Sequence, residues 1–239
     1  MIEIKNLTKY YGRKRLGLYD VNLNIEEGQI TGIFGRNGSG KTTLLKSIMG
    51  LCELNSGTIL IDGKPAKEQY DRIAFITEEG SFFPWMTPEE YGAFLAEYFD
   101  RFDHGKYHKL LDFFKIDARA RIRTMSKGQK AKVETAAGFS KGADIILMDE
   151  PFSGKDMVTR KEFLKLVNTS LRSNETIIIA THLVDDIENL LDRAVILQYG
   201  RVAADFYMDE IRQQGVSLAE KYLEAGEYDI ERLNSLLNV

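Results

Sequence analysis

Gly35-Arg36-Asn37-Gly38-Ser39-Gly40-Lys41-Thr42 is the stretch on which the fold turns. It matches the pattern G-x-x-x-x-G-K-[ST] in full. Before it stands Ile30-Thr31-Gly32-Ile33-Phe34, a short apolar run that reads as a buried strand. After it, Thr43 to Met49 carries helical spacing. The residue types have a physical reason. Glycines let backbone N–H groups turn inward around phosphate oxygens without side-chain obstruction. The start of the next helix adds roughly half a positive charge. Lys41 reads as a point charge for β- and γ-phosphates, and the Thr42 hydroxyl as a ligand for Mg²⁺. The run Gly35, Arg36, Asn37, Gly38, Ser39, Gly40, Lys41, Thr42 and Thr43 is therefore the candidate nucleotide cradle.

Outward from the loop, two kinds of strand pattern appear. Ile2, Ile4, Val21, Leu23 and Ile25 alternate with polar residues, as in a half-buried antiparallel strand pair. Thr58 to Gly63 reads as a second hairpin. Ile145–Met148, Thr176–Ala180 and Ala194–Leu197 are continuous apolar runs, the mark of parallel strands covered on both faces. A helix is expected over about Val158 to Leu171. Between Pro88 and Ile116 no strand signal exists; Tyr91, Phe94, Leu95, Tyr98, Phe99 and Phe102, then Tyr107, Leu110, Leu111 and Phe114, recur at helical spacing. The expectation is one α/β domain over 1–239 with a mostly parallel core sheet, an N-terminal antiparallel β subdomain, a small helical insertion at about 80–140 and a short helical tail over 206–239.

The bulk composition is that of a globular protein: 44% hydrophobic, 28% charged, net charge −4. The acidic balance argues against nucleic acid as a partner, because such domains carry a basic excess. The single cysteine, Cys52, permits no intrachain disulfide and fits a reducing compartment. No secretory leader is visible, and no apolar run approaches the ~20 residues that cross a bilayer. Work at a membrane would need another chain to span it.

Ile145-Ile146-Leu147-Met148-Asp149-Glu150-Pro151 is an apolar strand ending in two carboxylates, with Asp149 lying 108 residues after Lys41. A strand end is a rigid place for Asp149 to hold Mg²⁺ through water. Strand alternation points Glu150 to the opposite side, where it would polarise an attacking water.

Further motifs narrow the class. Thr124-Met125-Ser126-Lys127-Gly128-Gln129 resembles the L-S-G-G-Q signature of ABC-type ATPases, and it lies 20 residues before Ile146. Ala180-Thr181-His182 resembles that family's switch histidine, and Ser153-Gly154-Lys155-Asp156 its S-G-L-D loop. Tyr11 stands 24 residues before Gly35, where the family has an aromatic that stacks on adenine. The resemblance covers about residues 1–205. It implies an ATPase using ATP and Mg²⁺, in which two subunits pair head to tail. Ser126, Lys127, Gly128 and Gln129 of one subunit would then cap the γ-phosphate held by the other, and His182 would orient Glu150 and water. The second subunit is either a copy of this chain or a related one.

Three positions depart from the family pattern. Lys127 replaces glycine, Lys155 replaces leucine, and Glu78 aligns with a usual glutamine as a Mg²⁺ contact, with Glu79 as the alternative. The loop Gly80 to Pro88 carries Phe82, Phe83 and Trp85. These either receive a membrane-spanning permease, as the resemblance implies, or pack on the helical insertion. The resulting expectation is an ATP-hydrolysing subunit at the cytoplasmic face of a bacterial membrane, powering a transporter of the ABC-2 export kind. The alternative is a soluble mechanical ATPase of the same superfamily, acting on ribosomes, DNA or cofactor assembly.

Overall fold

Two patterns of apolar residues become two sheets. The computed structural model describes residues 1–12, 15–77, 80–152, 157–170, 175–185 and 187–225. The alternating segments form an antiparallel sheet from β1 (Ile2–Tyr11), β2 (Arg15–Ile25), β4 (Ser56–Ile61) and β5 (Lys64–Pro65), in the order β2-β1-β4-β5. Ile2, Ile4, Val21, Leu23 and Ile25 all face inward. Asp62 and Gly63 close the β4–β5 turn with φ of 48° and 78°. Positive φ at both central residues gives the turn a twist that matches the strands it joins.

The continuous runs form the larger sheet. Its strands are β3 (Ile30–Phe34), β6 (Ile73–Ile76), β7 (Ile145–Asp149), β8 (Thr176–Thr181), β9 (Arg193–Gln198) and β10 (Arg201–Tyr207), in the order β10-β9-β3-β8-β7-β6. All pairings are parallel except β9 with β10. Both faces are covered, as continuous apolar runs require. Ile145, Leu147, Ile178 and Val195 pack with the antiparallel sheet and with Leu44, Leu45 and Ile48 of α1 (Lys41–Ile48). Ile146, Met148, Ile177 and Ile196 pack on the other side. There they meet residues of α2 (Pro88–Tyr98), α3 (His104–Phe113), α4 (Lys127–Ser140) and α5 (Met157–Ser170). Each such side chain contributes roughly 1.5–3 kcal/mol.

Tyr91, Phe102, Tyr107, Leu111 and Phe114 are buried, as their spacing predicts. Tyr98 differs: at the C-terminal end of α2 it stands in solvent, 67% exposed, with its ring against Phe94. The chain continues through α6 (Met208–Gln213) to helical residues 218–225. No helix among the described residues is long and apolar enough to cross a membrane. Every parallel strand runs the same way, so the ends of β3, β7 and β8 place Gly35, Asp149 and Thr181 along one edge.

Candidate active site

The loop after β3 is shaped by glycine. Gly40 has φ of 111°, and a Cβ there would lie 2.6 Å from the Gly17 carbonyl oxygen, so no other residue fits without displacing β2. Gly40 is also the N-cap of α1, and it supplies no side chain to the first turn. No acidic residue lies in that turn either. An uncapped, acid-free helix start leaves its N–H donors open to an anion.

Lys41 folds back over this loop. It is 6% exposed, and its ammonium donates to the carbonyls of Gly35 at 2.7 Å and Arg36 at 3.4 Å. The same ammonium lies 3.3 Å from Glu150 Oε1. Thr42 donates its hydroxyl to Asp149 Oδ1 at 3.0 Å. A hydroxyl beside a carboxylate is a hard-oxygen pair of the kind Mg²⁺ prefers, and Mg²⁺ needs few protein ligands. Burial pushes the Asp149 carboxyl above its ordinary value, with the nearby Glu150 charge adding to the effect and the Thr42 bond opposing it.

Glu150 corrects one expectation. β7 ends at Asp149, and Glu150 adopts φ of 47°, so strand alternation no longer sets its direction. Its carboxylate faces the Lys41 ammonium. Oε2 accepts from the Thr181 hydroxyl at 3.1 Å and meets His182 Nδ1 at 2.9 Å. Oε1 is buried and has no hydrogen-bond donor. Burial raises the Glu150 pKa, but the His182 bond and the Lys41 charge outweigh it, and the net shift is downward. The group is thus held in its ionised form, with Oε2 against Thr181 and His182 and Oε1 facing the Lys41 ammonium, a carboxylate able to accept a proton from water. Thr181 was not among the expected site residues. Its place, directly before His182 at a strand end, was the available signal.

Tyr11 ends β1 as a residue 40% exposed, and its hydroxyl is 3.3 Å from Thr43 Oγ1. An accessible aromatic face therefore stands beside the first turn of α1. The signature residues lie elsewhere. Ser126 is the N-cap of α4; its Oγ accepts from the Gln129 N–H at 3.2 Å, and Gln129 Oε1 accepts from the Ser126 N–H at 2.9 Å. Lys127 and Gly128 begin the helix. Among the described residues, no hydrogen bond or ion pair joins residues 126–129 to the loop at 35–43. Glu78, Glu79 and Ser153 to Asp156 lie outside the described residues.

The aromatic loop divides in two. Phe82 packs inward, edge-on to Tyr91 at 6.1 Å, so it lies against the core and not on an outer groove. Phe83 and Trp85 stack at 5.0 Å and remain 39% and 60% exposed.

The ABC transporter family matches residues 18–153. The chain belongs to the ABC transporter family. It is an ATP-binding subunit of the family's transporters and an ATPase. It is 31% identical over 222 residues to the ABC transporter ATP-binding protein YtrB of Bacillus subtilis (strain 168), covering 91% of this chain and 76% of the relative. It is 29% identical to the Nod factor export ATP-binding protein I of Burkholderia lata, covering 85% and 70%. Among solved structures, the dimeric structure of MJ0796, a bacterial ABC transporter cassette, superposes with a TM-score of 0.78 at 25% identity, covering 87% of this chain and 99% of that one.

Proposed function

We propose that this ABC ATPase subunit powers export by pairing head to tail with a second copy of itself around ATP. The observation that carries the reading is the convergence at one sheet edge of Lys41, Asp149 and the Glu150–His182 pair on an uncapped helix start. Residues Gly35 to Thr43 hold the phosphates, and the Tyr11 face stacks on adenine. Thr42 and Asp149 are the groups for Mg²⁺, which when bound neutralises phosphate charge. Glu150 Oε1 takes a proton from the attacking water, while His182 and Thr181 fix the carboxylate's orientation. Lys41 draws charge from the γ-phosphate.

The site is built on a helix start that carries no side-chain cap, and the Tyr222 hydroxyl lies within reach of the Arg36 and Glu150 charges. We assign its closure to Ser126, Lys127 and Gly128 of the second subunit. Gln129 acts indirectly, by holding Ser126. The dimeric cassette supports pairing, and the relative named for Nod factor export supports the direction. Residues 80–140 form the helical unit that faces the permease subunits, with Phe83 and Trp85 as the contact. That places the protein on the inner face of the membrane, with no role for nucleic acid.

The test is Glu150→Gln in the purified chain with Mg²⁺ and ATP. ATP binding is expected to persist while turnover stops and a dimer accumulates in light scattering. Undiminished hydrolysis would remove Glu150 from the mechanism. Recovery with ribosomes or DNA, and not with a spanning chain from solubilised membranes, would instead support the soluble ATPase.

A further inference from the structure

Glu134 is a carboxyl that the mechanism above leaves unused, and it is 2% exposed on α4. It has no ion-pair partner among the described residues. Lys141, whose charge reaches it, donates to the Ile73 carbonyl at 2.7 Å and lies over the Phe99 ring at 3.8 Å. What holds Glu134 is one residue of the loop leaving β6. Ser81 gives its N–H to Oε2 at 3.0 Å and its hydroxyl to Oε1 at 2.9 Å. The Tyr91 hydroxyl is 2.8 Å from Ser81 Oγ and 3.5 Å from Oε2. Burial pushes the Glu134 carboxyl above its ordinary value, and the Ser81 N–H donates to it whichever way the hydroxyl protons lie. A buried acid without a cation is typically less stabilising than an apolar side chain of its shape. Stability alone does not account for it.

Its position does. The same loop is bonded a second time, farther along. Arg123 N–H donates to the Pro84 carbonyl at 2.8 Å, and Ile122 N–H to the Met86 carbonyl at 2.9 Å. Ser126 lies between the two attachments: Ile122 and Arg123 precede it, and Glu134 follows it two turns along α4, roughly 12 Å at 1.5 Å per residue. Gly80, at φ of 78°, donates its N–H to Thr77 Oγ1 at 3.1 Å. A shift of the loop therefore reaches Ser126 from both sides, and among the described residues the Glu134 bonds are the ones that depend on a side chain of α4.

We propose that Glu134 is a positioning residue: by holding Ser81 it makes the loop after β6 and the Ser126 end of α4 move as one body. This rests on the reading that Ser126 completes the nucleotide site of a second subunit. The chain's single tryptophan, Trp85, sits on the same loop and reports on it.

The experiment compares wild type, Glu134→Leu, Glu134→Gln and Ser81→Ala as full chains. It measures ATP affinity by equilibrium dialysis, hydrolysis by phosphate release, and Trp85 emission on addition of Mg²⁺ and ATP. Glu134→Leu is expected to bind ATP within about twofold of wild type while kcat falls about tenfold to a hundredfold, because a misplaced group costs rate rather than ground-state binding. Its Trp85 response to nucleotide is lost. Glu134→Gln keeps an acceptor for the Ser81 N–H and recovers both readouts. Should Glu134→Leu fail to fold, Ser81→Ala carries the test, with the same split between affinity and kcat. Wild-type kcat and Trp85 response in both Glu134→Leu and Ser81→Ala would overturn the proposal. So would a Glu134→Gln chain as impaired as Glu134→Leu. If wild type binds ATP without hydrolysing it, the functional reading falls, and the Trp85 response still decides this one.

Discussion

Helix α1 begins with a residue that has no side chain, and helix α4 begins with two side chains that satisfy each other. At α1, Gly40 caps nothing, and no residue of the first turn is itself acidic. At α4, Ser126 and Gln129 form a reciprocal box. Orphan N–H groups at a helix start must find water, a side chain or a ligand. The first helix start is therefore a binding site in the isolated chain. The second is partly satisfied by its own box, which takes the Gln129 N–H, and it keeps the Lys127 and Gly128 N–H groups and the Ser126 hydroxyl proton to offer. The lesson is that the two halves of one nucleotide site carry different debts. One is built to receive phosphate and the other to keep its own shape until a second subunit brings phosphate to it.

The contrast is tested hardest where the chemistry is. Glu150→Gln should lower kcat by about 10²–10⁴ with ATP affinity retained. An equal loss of affinity would mean that Glu150 acts through Lys41 and not on water. Lys41→Ala should instead weaken ATP binding about a hundredfold in dialysis, since it removes a charged contact to the phosphates. Asp149→Asn should raise the Mg²⁺ concentration for half-maximal hydrolysis about tenfold, read by titration against a chelator. The smallest effect separates the roles at α4. Ser126→Ala and Gln129→Ala should each cost about 1 kcal/mol in a thermal melt. Only Ser126→Ala should also lower kcat beyond what the melt explains. Equal kcat losses would reduce Ser126 to a helix cap.

Much of this was legible in the chain. The loop at 35–42 is local, and its glycines, lysine and flanking strand lie in one uninterrupted stretch. The two-sided burial of Ile145 to Met148 follows from an apolar run without alternation, and the antiparallel sheet follows from alternation at Ile2, Ile4 and Val21 to Ile25. The direction of Glu150 was not legible, because it depends on one left-handed φ at a strand end where nothing in the sequence demands glycine. Phe82 and Phe83 look alike in sequence, yet one meets Tyr91 and the other meets Trp85. The Ser81–Glu134 bonds join residues 53 apart, and no local pattern announces such a pair.

The central claim is that the uncapped α1 of one chain is closed by α4 of another. Mixing two disabled chains tests it most directly. Lys41→Ala lacks a phosphate loop but keeps its signature; Ser126→Trp keeps the loop but blocks its signature with bulk. Each alone should be inactive in phosphate release. The account predicts that the mixture hydrolyses ATP, because the mixed pair contains one intact site made from both chains. A mixture no more active than the sum of its parts would contradict it.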